Sequence, residues 1–376
     1  MSEFQYVGFC AIDRPVEGEN LEYMQRQSSR AEITPWSFEN EYYFGDFRGD
    51  PMEMLRRGYD IHLHYANFGI RKLAIRFPLG ISDRTLQPYA VRNNLRLLKD
   101  KQGPGGNLII APFQEPGDWE ELFEVDSFLD RLAPLRAEIM DGDLRPLYLG
   151  HLAVACDGEH DPDKTTEAPV PAGLAELSDA QQALVEFYGL DREFIQAAAE
   201  ASLPSPARDN PADHYPQWIR DQPEKAKNAW LTSLMVDSAT TVRAEMLAKY
   251  RSEKATASWP TSNPGRTIAE LRTEAADIAE KRMQRVKETA ARERAERLAG
   301  MSKDPKATLR ETERLVKERS TNAYRKIGEL LSELREALLA SKQSGLAEKQ
   351  AAKLKAANPT LRSLVSELRR HNLLPK

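Results

Sequence analysis

Apolar and polar positions along the first 115 residues follow a two-residue period broken by turn residues. Residues 4–12 are an apolar, aromatic run and predict a strand. Residues 59–65 alternate: Tyr59, Ile61, Leu63 and Tyr65 fall on one side, Asp60, His62 and His64 on the other. A turn-like Ala66-Asn67-Phe68-Gly69 follows, and residues 70–77 alternate again, so the pair predicts a β-hairpin. A second hairpin is expected from 95–99 and 108–113 around Gly103-Pro104-Gly105-Gly106. Between the strands, 19–30 predicts a helix, and 32–38, with Pro35 and Trp36, an edge strand. Asp50-Pro51 opens a short helix that Gly58 closes, with aspartate as N-cap and proline at the first helical position.

Beyond Pro116 the period changes to the helical one. Helices are expected over 119–140, 144–156, 178–188, 191–201, 223–227, 231–235 and 240–250. Three stretches read as linkers: acidic 159–171, proline-rich 203–216, and breaker-rich 255–265. From 267 to 300 runs a long helix with a thin apolar stripe and charges of alternating sign. A break at 300–305 precedes helices at 307–342, 346–356 and 360–371. The fold class read from this pattern is α+β: a mostly antiparallel sheet with short helices, then an all-α region and a long helical tail. A ferredoxin-like strand order is one arrangement that fits. The expected domains are 1–115, 116–255 and 266–376.

Composition alters this picture mainly through charge. The whole chain carries −5, but residues 266–376 hold 26 Lys+Arg against 16 Asp+Glu, so a basic tail follows an acidic body. Such a tail suits either a protein surface, the chain's own acidic body included, or a polyanion. No run of 18 apolar residues is present, so no membrane partner is expected. The start lacks a basic region followed by an apolar core, and the two cysteines, Cys10 and Cys156, imply no disulfide framework. Both features fit a cytoplasmic protein.

Three groups of side chains are candidates for chemistry. Asp60, His62 and His64 on one strand face are the weak metal or acid–base candidates, with Glu32, Glu41 or Asp46 as further ligands; the alternative is a polar sheet face packed on aromatics. Trp36, Phe38, Tyr42, Tyr43, Phe44 and Phe47, next to Arg48, Arg56 and Arg57, form an aromatic and basic patch of the kind that stacks single-stranded bases; the alternative is core. In the tail, Lys353, Lys355, Arg362, Arg369 and Arg370 are the phosphate-contact candidates, since 342–376 holds eight Lys+Arg and two Glu. The glycine-rich 103–106 lacks the Gly-Lys-Ser/Thr ending of a phosphate loop and reads as a turn. No cofactor is expected.

Residues 57–69, 137–150 and 170–176 resemble stretches of an uncharacterised bacterial protein family. Residues 315–373 look like the C-terminal tail of some bacterial proteins that carry a SWIM-type zinc finger. The resemblance implies a bacterial protein and brings no activity. The finger would need a Cys-x-Cys pair and a later Cys-x-His, so no zinc site follows from it here. The reading is a non-catalytic interaction or scaffold protein. One alternative is a nucleic-acid-associated accessory protein. The other is a metal-dependent enzyme using Asp60, His62 and His64.

Overall fold

A computed structural model of the chain describes residues 3–113, 122–157, 159–206, 211–236, 239–253, 259–339 and 343–375. Its described part is α+β and divides into two compact units, Met1–Ala279 and Glu280–Lys376.

The first unit is built on a seven-stranded antiparallel sheet. Its strands are β1 (Gln5–Cys10), β2 (Glu32–Ile33), β3 (Ser37–Tyr42), β4 (Ile61–Ala66), β5 (Ile70–Phe77), β6 (Leu95–Lys99) and β7 (Gly106–Ile110), in the order β2-β3-β1-β4-β5-β7-β6. Both expected hairpins are present; the order is a run of antiparallel neighbours rather than a ferredoxin-like one. The period-two alternation gives the sheet two apolar faces. Tyr6, Leu63, Ile75 and Leu108 enter one core, and Val7, Phe9, Ala74 and Ile109 enter another.

The second, smaller core is closed by α1 (Gly18–Gln25) and α2 (Pro51–Arg57), through Met24, Met54 and Leu55. Helix α2 starts as its sequence predicts: the Asp50 side chain accepts from the Met52 and Glu53 amides, and Gly58 ends it at φ +149°. A short helix, α3 (Asp83–Leu86), lies in the connection from β5 to β6. The larger core lies under α4 (Ser127–Leu132), α5 (Pro134–Met140), α6 (Arg145–Ala155), α7 (Asp179–Tyr188) and α8 (Arg192–Glu200). All eleven residues of α6 are buried. Gly150 allows its close approach to the sheet: a Cβ there would stand 2.9 Å from Ile110 Cδ1 and 3.3 Å from Leu95 Cδ1. Helix α7 begins with a capping box between Ser178 and Gln181, and Ser178 Oγ donates to Glu138 across a distance of 2.6 Å.

Three expectations about the chain's divisions are corrected here. Sheet and helices 127–200 share one core, so they are not separate domains; the expected boundary at 115/116 itself lies outside the described residues. The stretches 159–171 and 255–265 are not free linkers in their described parts. They supply β8 (Val170–Pro171) and β9 (Thr261–Ser262), which pair with each other. The cause is a buried carboxylate: Glu167 meets Arg266 Nε at 2.6 Å and the Tyr148 hydroxyl, which ties both stretches to α6. The tail boundary also shifts. The 36-residue helix α12 (Ile268–Lys303) places Ile268, Leu271 and Ala275 in the larger core, so its first turns belong to the body.

Three further helices complete the first unit: α9 (Pro211–Asp221), α10 (Glu224–Val236) and α11 (Ala239–Glu253). Here the proline-rich connector is partly helical, and the helices expected at 223–227 and 231–235 are one. In the second unit the expected helix 307–342 is two. Asp304 caps α13 (Pro305–Leu315), a single 3-10 turn follows, and Arg319 at φ +50° breaks the path. Ser320 then caps α14 (Thr321–Ala337). With α15 (Leu346–Ala357) and α16 (Arg362–Arg370) it buries Ile327, Leu331, Leu334, Leu354, Leu364 and Leu368 in a core of its own. The break expected at 300–305 comes only at Asp304, because α12 continues through Gly300.

Candidate functional site

The histidine strand does not bring its three weak candidates together. Strand β4 begins at Ile61, and Asp60 lies before it, outside the alternation. Asp60 Oδ2 accepts from the Ile12 and Asp13 amides at 2.6 and 3.1 Å, and its Oδ1 lies 3.3 Å from Arg136 of α5. It therefore faces the α4–α8 side, away from His62 and His64. Burial raises its pKa, against the pull of Arg136. Arg136 also grips Asp13 through both terminal nitrogens, at 3.0 and 2.5 Å, and donates from Nε to the Arg76 carbonyl. The group ties the sheet to its helical layer.

His62 stacks on Phe9 with ring centroids 4.2 Å apart, and its Nδ1 donates to the Gly8 carbonyl at 3.2 Å. Its Nε2 is buried without a partner. Burial, followed by the charges of His64 and Lys72, holds its pKa well below the usual histidine value. His64 Nε2 meets Gln5 Oε1 at 3.1 Å, while Gln5 Nε2 donates to Asp46. Burial and Lys72 bring its pKa down to about 4. Both rings are neutral at neutral pH and belong to the smaller core's edge. Among the described residues no group of three or more His, Cys, Asp and Glu is placed to hold a metal. Cys10 and Cys156 are free thiols, pushed up to about 12 and about 11 by burial.

The aromatic patch divides in the same way. Phe38 and Tyr42 are buried, and Phe47 packs on Phe9, Phe38 and Tyr42. Trp36, Tyr43 and Phe44 stay exposed. Glu53 takes both neighbouring arginines: Arg56 at 2.7 and 2.5 Å and Arg57 at 2.6 Å, with Arg57 also 4.2 Å over the Tyr23 ring. Arg48 is exposed. In the second unit Lys353 pairs with Glu313 at 2.7 Å and Arg370 with Glu367 at 3.7 Å. Arg369 donates to the Pro375 carbonyl, while Lys355 and Arg362 are exposed.

The most distinctive surface was not among these candidates. Helix α10 has thirteen residues and buries none of them. It nevertheless carries Leu231, Leu234, Met235 and Val236, the last two 86% and 80% exposed. Leu231, Leu234 and Met235 stand at i, i+3 and i+4, one ridge of a helix. Beside them, α9 and α11 form an aromatic nest. Trp218 packs on Trp230 at 5.6 Å and on Tyr250 at 5.4 Å, and Tyr215 packs on Tyr250 at 5.0 Å. Glu253 fixes the nest by accepting from Trp218 Nε1 at 2.7 Å and Gln222 at 2.8 Å. A cavity of about 180 Å³ opens there, lined by Trp218, Ile219, Leu234, Val242, Met246 and Leu247. The sequence signal was the run Trp230-Leu231 with Leu234-Met235-Val236, apolar residues on a helix that starts after Pro223.

Among the larger cavities of the same unit are two that adjoin α5. One, of about 730 Å³, has walls of Phe77, Tyr89, Ile139, Leu144, Pro169 and Trp259. The other, of about 440 Å³, is lined by Asp13, Arg136, Asp141, Tyr215, Arg243 and Arg251.

No protein-family model matches the chain, and no match is found among curated proteins or solved structures. Among the described residues, no helix is long and apolar enough to cross a membrane.

Proposed function

We propose that the protein works through protein–protein contacts, as a non-catalytic interaction or scaffold protein, and that the α9–α11 helices hold its docking surface. The observation that carries this is α10: a helix that buries none of its residues and leaves Leu231, Met235 and Val236 largely in water. Leaving such side chains exposed forgoes about 1.5–3 kcal/mol apiece relative to full burial, and burial against a partner recovers it. The occupant it suits is the apolar face of a partner's amphipathic helix. The ridge Leu231, Leu234, Met235 offers i, i+3, i+4 anchors, and methionine adapts to irregular surfaces. Trp218 and Trp230 behind the ridge supply the rigid aromatic floor typical of interface hot spots.

The test compares full-length protein with the Leu231→Asp/Met235→Asp variant, each isolated from its own cells and run on size exclusion with light scattering. The wild type should hold one stoichiometric protein partner, and the variant should lose it at an unchanged melting temperature. Equal retention by the variant, or no retained protein with the wild type, would contradict the proposal.

A further inference from the structure

The 730 Å³ and 440 Å³ cavities have complementary chemistry and a common wall. Arg251 of α11 lines both. The end of α5 and the turn after it separate them: Ile139, Met140 and Gly142 face the larger cavity, Arg136, Ala137 and Asp141 the smaller. The larger is mainly apolar. Its Trp259 is held by an Nε1–H bond to the Ala172 carbonyl at 3.1 Å and by the Arg145 guanidinium 5.4 Å from the ring, so this wall is set before anything binds. The smaller is lined by three guanidinium groups and two carboxylates. Arg136 is satisfied by Asp13 and Asp60. Arg251 gives only its Nε to Asp141, at 2.7 Å. With Asp60 behind Arg136 the charges around the smaller cavity balance in number but not in place: among the described residues Arg243 has no carboxylate and the terminal nitrogens of Arg251 donate to none, where the apolar cavity begins.

We infer that the two cavities form one binding site for an amphipathic anion, a molecule with an aliphatic or aromatic body and a carboxylate or phosphate head. The body lies against Trp259, Ile139 and Leu144. The head sits between Arg251 and Arg243, where planar guanidinium donors match an oxyanion. A ligand of this kind fits both the volume and the lining, since small-molecule sites are mostly apolar clefts of about 300–1,000 Å³ with a few fixed polar groups. The docking ridge itself is not part of this site, since Leu231 and Met235 line neither cavity, although Tyr215, Arg243 and Leu247 also line the 180 Å³ cavity beside that ridge.

The experiment uses full-length protein and the fluorescent probe 1-anilinonaphthalene-8-sulfonate, an aromatic body with an anionic head. Decanoate, decyl phosphate, decanol and inorganic phosphate serve as competitors. Saturable binding at one site is expected, displaced by decanoate and decyl phosphate but not by decanol or inorganic phosphate at equal concentration. Whichever of the two amphiphiles competes better tells a carboxylate head from a phosphate one. Arg251→Gln should weaken binding about tenfold or more, as loss of a charge-assisted hydrogen bond does. Ser82→Trp, at an exposed position of the larger cavity's wall, should block it at an unchanged melting temperature. Leu231→Asp/Met235→Asp should leave binding as it was. Non-saturable binding would overturn the inference. So would equal competition by decanol and decanoate, or wild-type affinity in both Arg251→Gln and Ser82→Trp.

Discussion

Helices α6 and α10 are similar in length and both carry leucines, yet one hides every residue and the other hides none. In α6 even the charged residue is enclosed. Arg145 spends its guanidinium on Asp143 and on the Gly173 and Glu176 carbonyls, and Gly150 lets the helix touch the sheet. Helix α10 has neighbours, α9 and α11, but they turn their aromatic rings to each other and to Trp230; Leu234 edges the small cavity, and Leu231 and Met235 stay outside. A helix of the first kind specifies the fold. A helix of the second kind adds little to it and is available for something else.

The contrast can be broken by substitution. The largest effect is expected where charge is buried under the helical layer. Arg136→Met leaves Asp60 enclosed without its cation, and breaking such a pair costs about 3–5 kcal/mol. Urea unfolding measures it; a loss under 1 kcal/mol would mean that water reaches Asp60. Next comes the apolar core. Leu147→Ala in α6 should cost about 2–5 kcal/mol, whereas Leu231→Ala in α10 should stay within about 0.5 kcal/mol. Similar losses for the two would erase the distinction.

A third effect is pH-dependent. The unfolded chain protonates its histidines near pH 6.5, while folded His64 waits until about 4 and His62 lower still. Each neutral ring thus contributes stability that is fully present above about pH 6.5 and falls as the pH drops toward the folded value. The slope is about 1.4 kcal/mol per pH unit and per histidine. His64→Gln should flatten unfolding free energies between pH 6.5 and 4.5 by that slope, and an unchanged curve would place the ring in water. The smallest effect expected is on nucleic acid. Four of the eight basic candidates are in ion pairs and Arg369 is on a carbonyl, so a mobility shift at physiological salt should show no submicromolar binding to DNA or RNA. Tight, salt-sensitive binding would favour the polyanion reading.

Much of the sheet was legible because its signals are local. The period of two, the Asp50-Pro51 start and the Gly58 stop need only their neighbours in sequence. What escaped depends on distant partners. Asp60 continues the alternation of β4 on paper, but Arg136, 76 residues away, draws it to the other side. The acidic stretch 159–171 and the breaker-rich stretch 255–265 looked like linkers because Glu167 and Arg266 neutralise each other only once both are folded. The turn at Arg319 carries no glycine, so a positive φ there had no sequence mark. The α10 surface was missed for a related reason. An apolar helical ridge predicts burial, and only the fold shows that nothing in the described chain covers it.

The direct measurement is cross-linking from that ridge. A photoreactive benzoylphenylalanine at position 235, and the same group at exposed Glu200 on α8 as a control, would be irradiated in the protein's own cells. The account predicts one discrete protein adduct from position 235, absent from position 200 and lost when Leu231→Asp is added. No adduct at 235, or the same adducts from both positions, would contradict it.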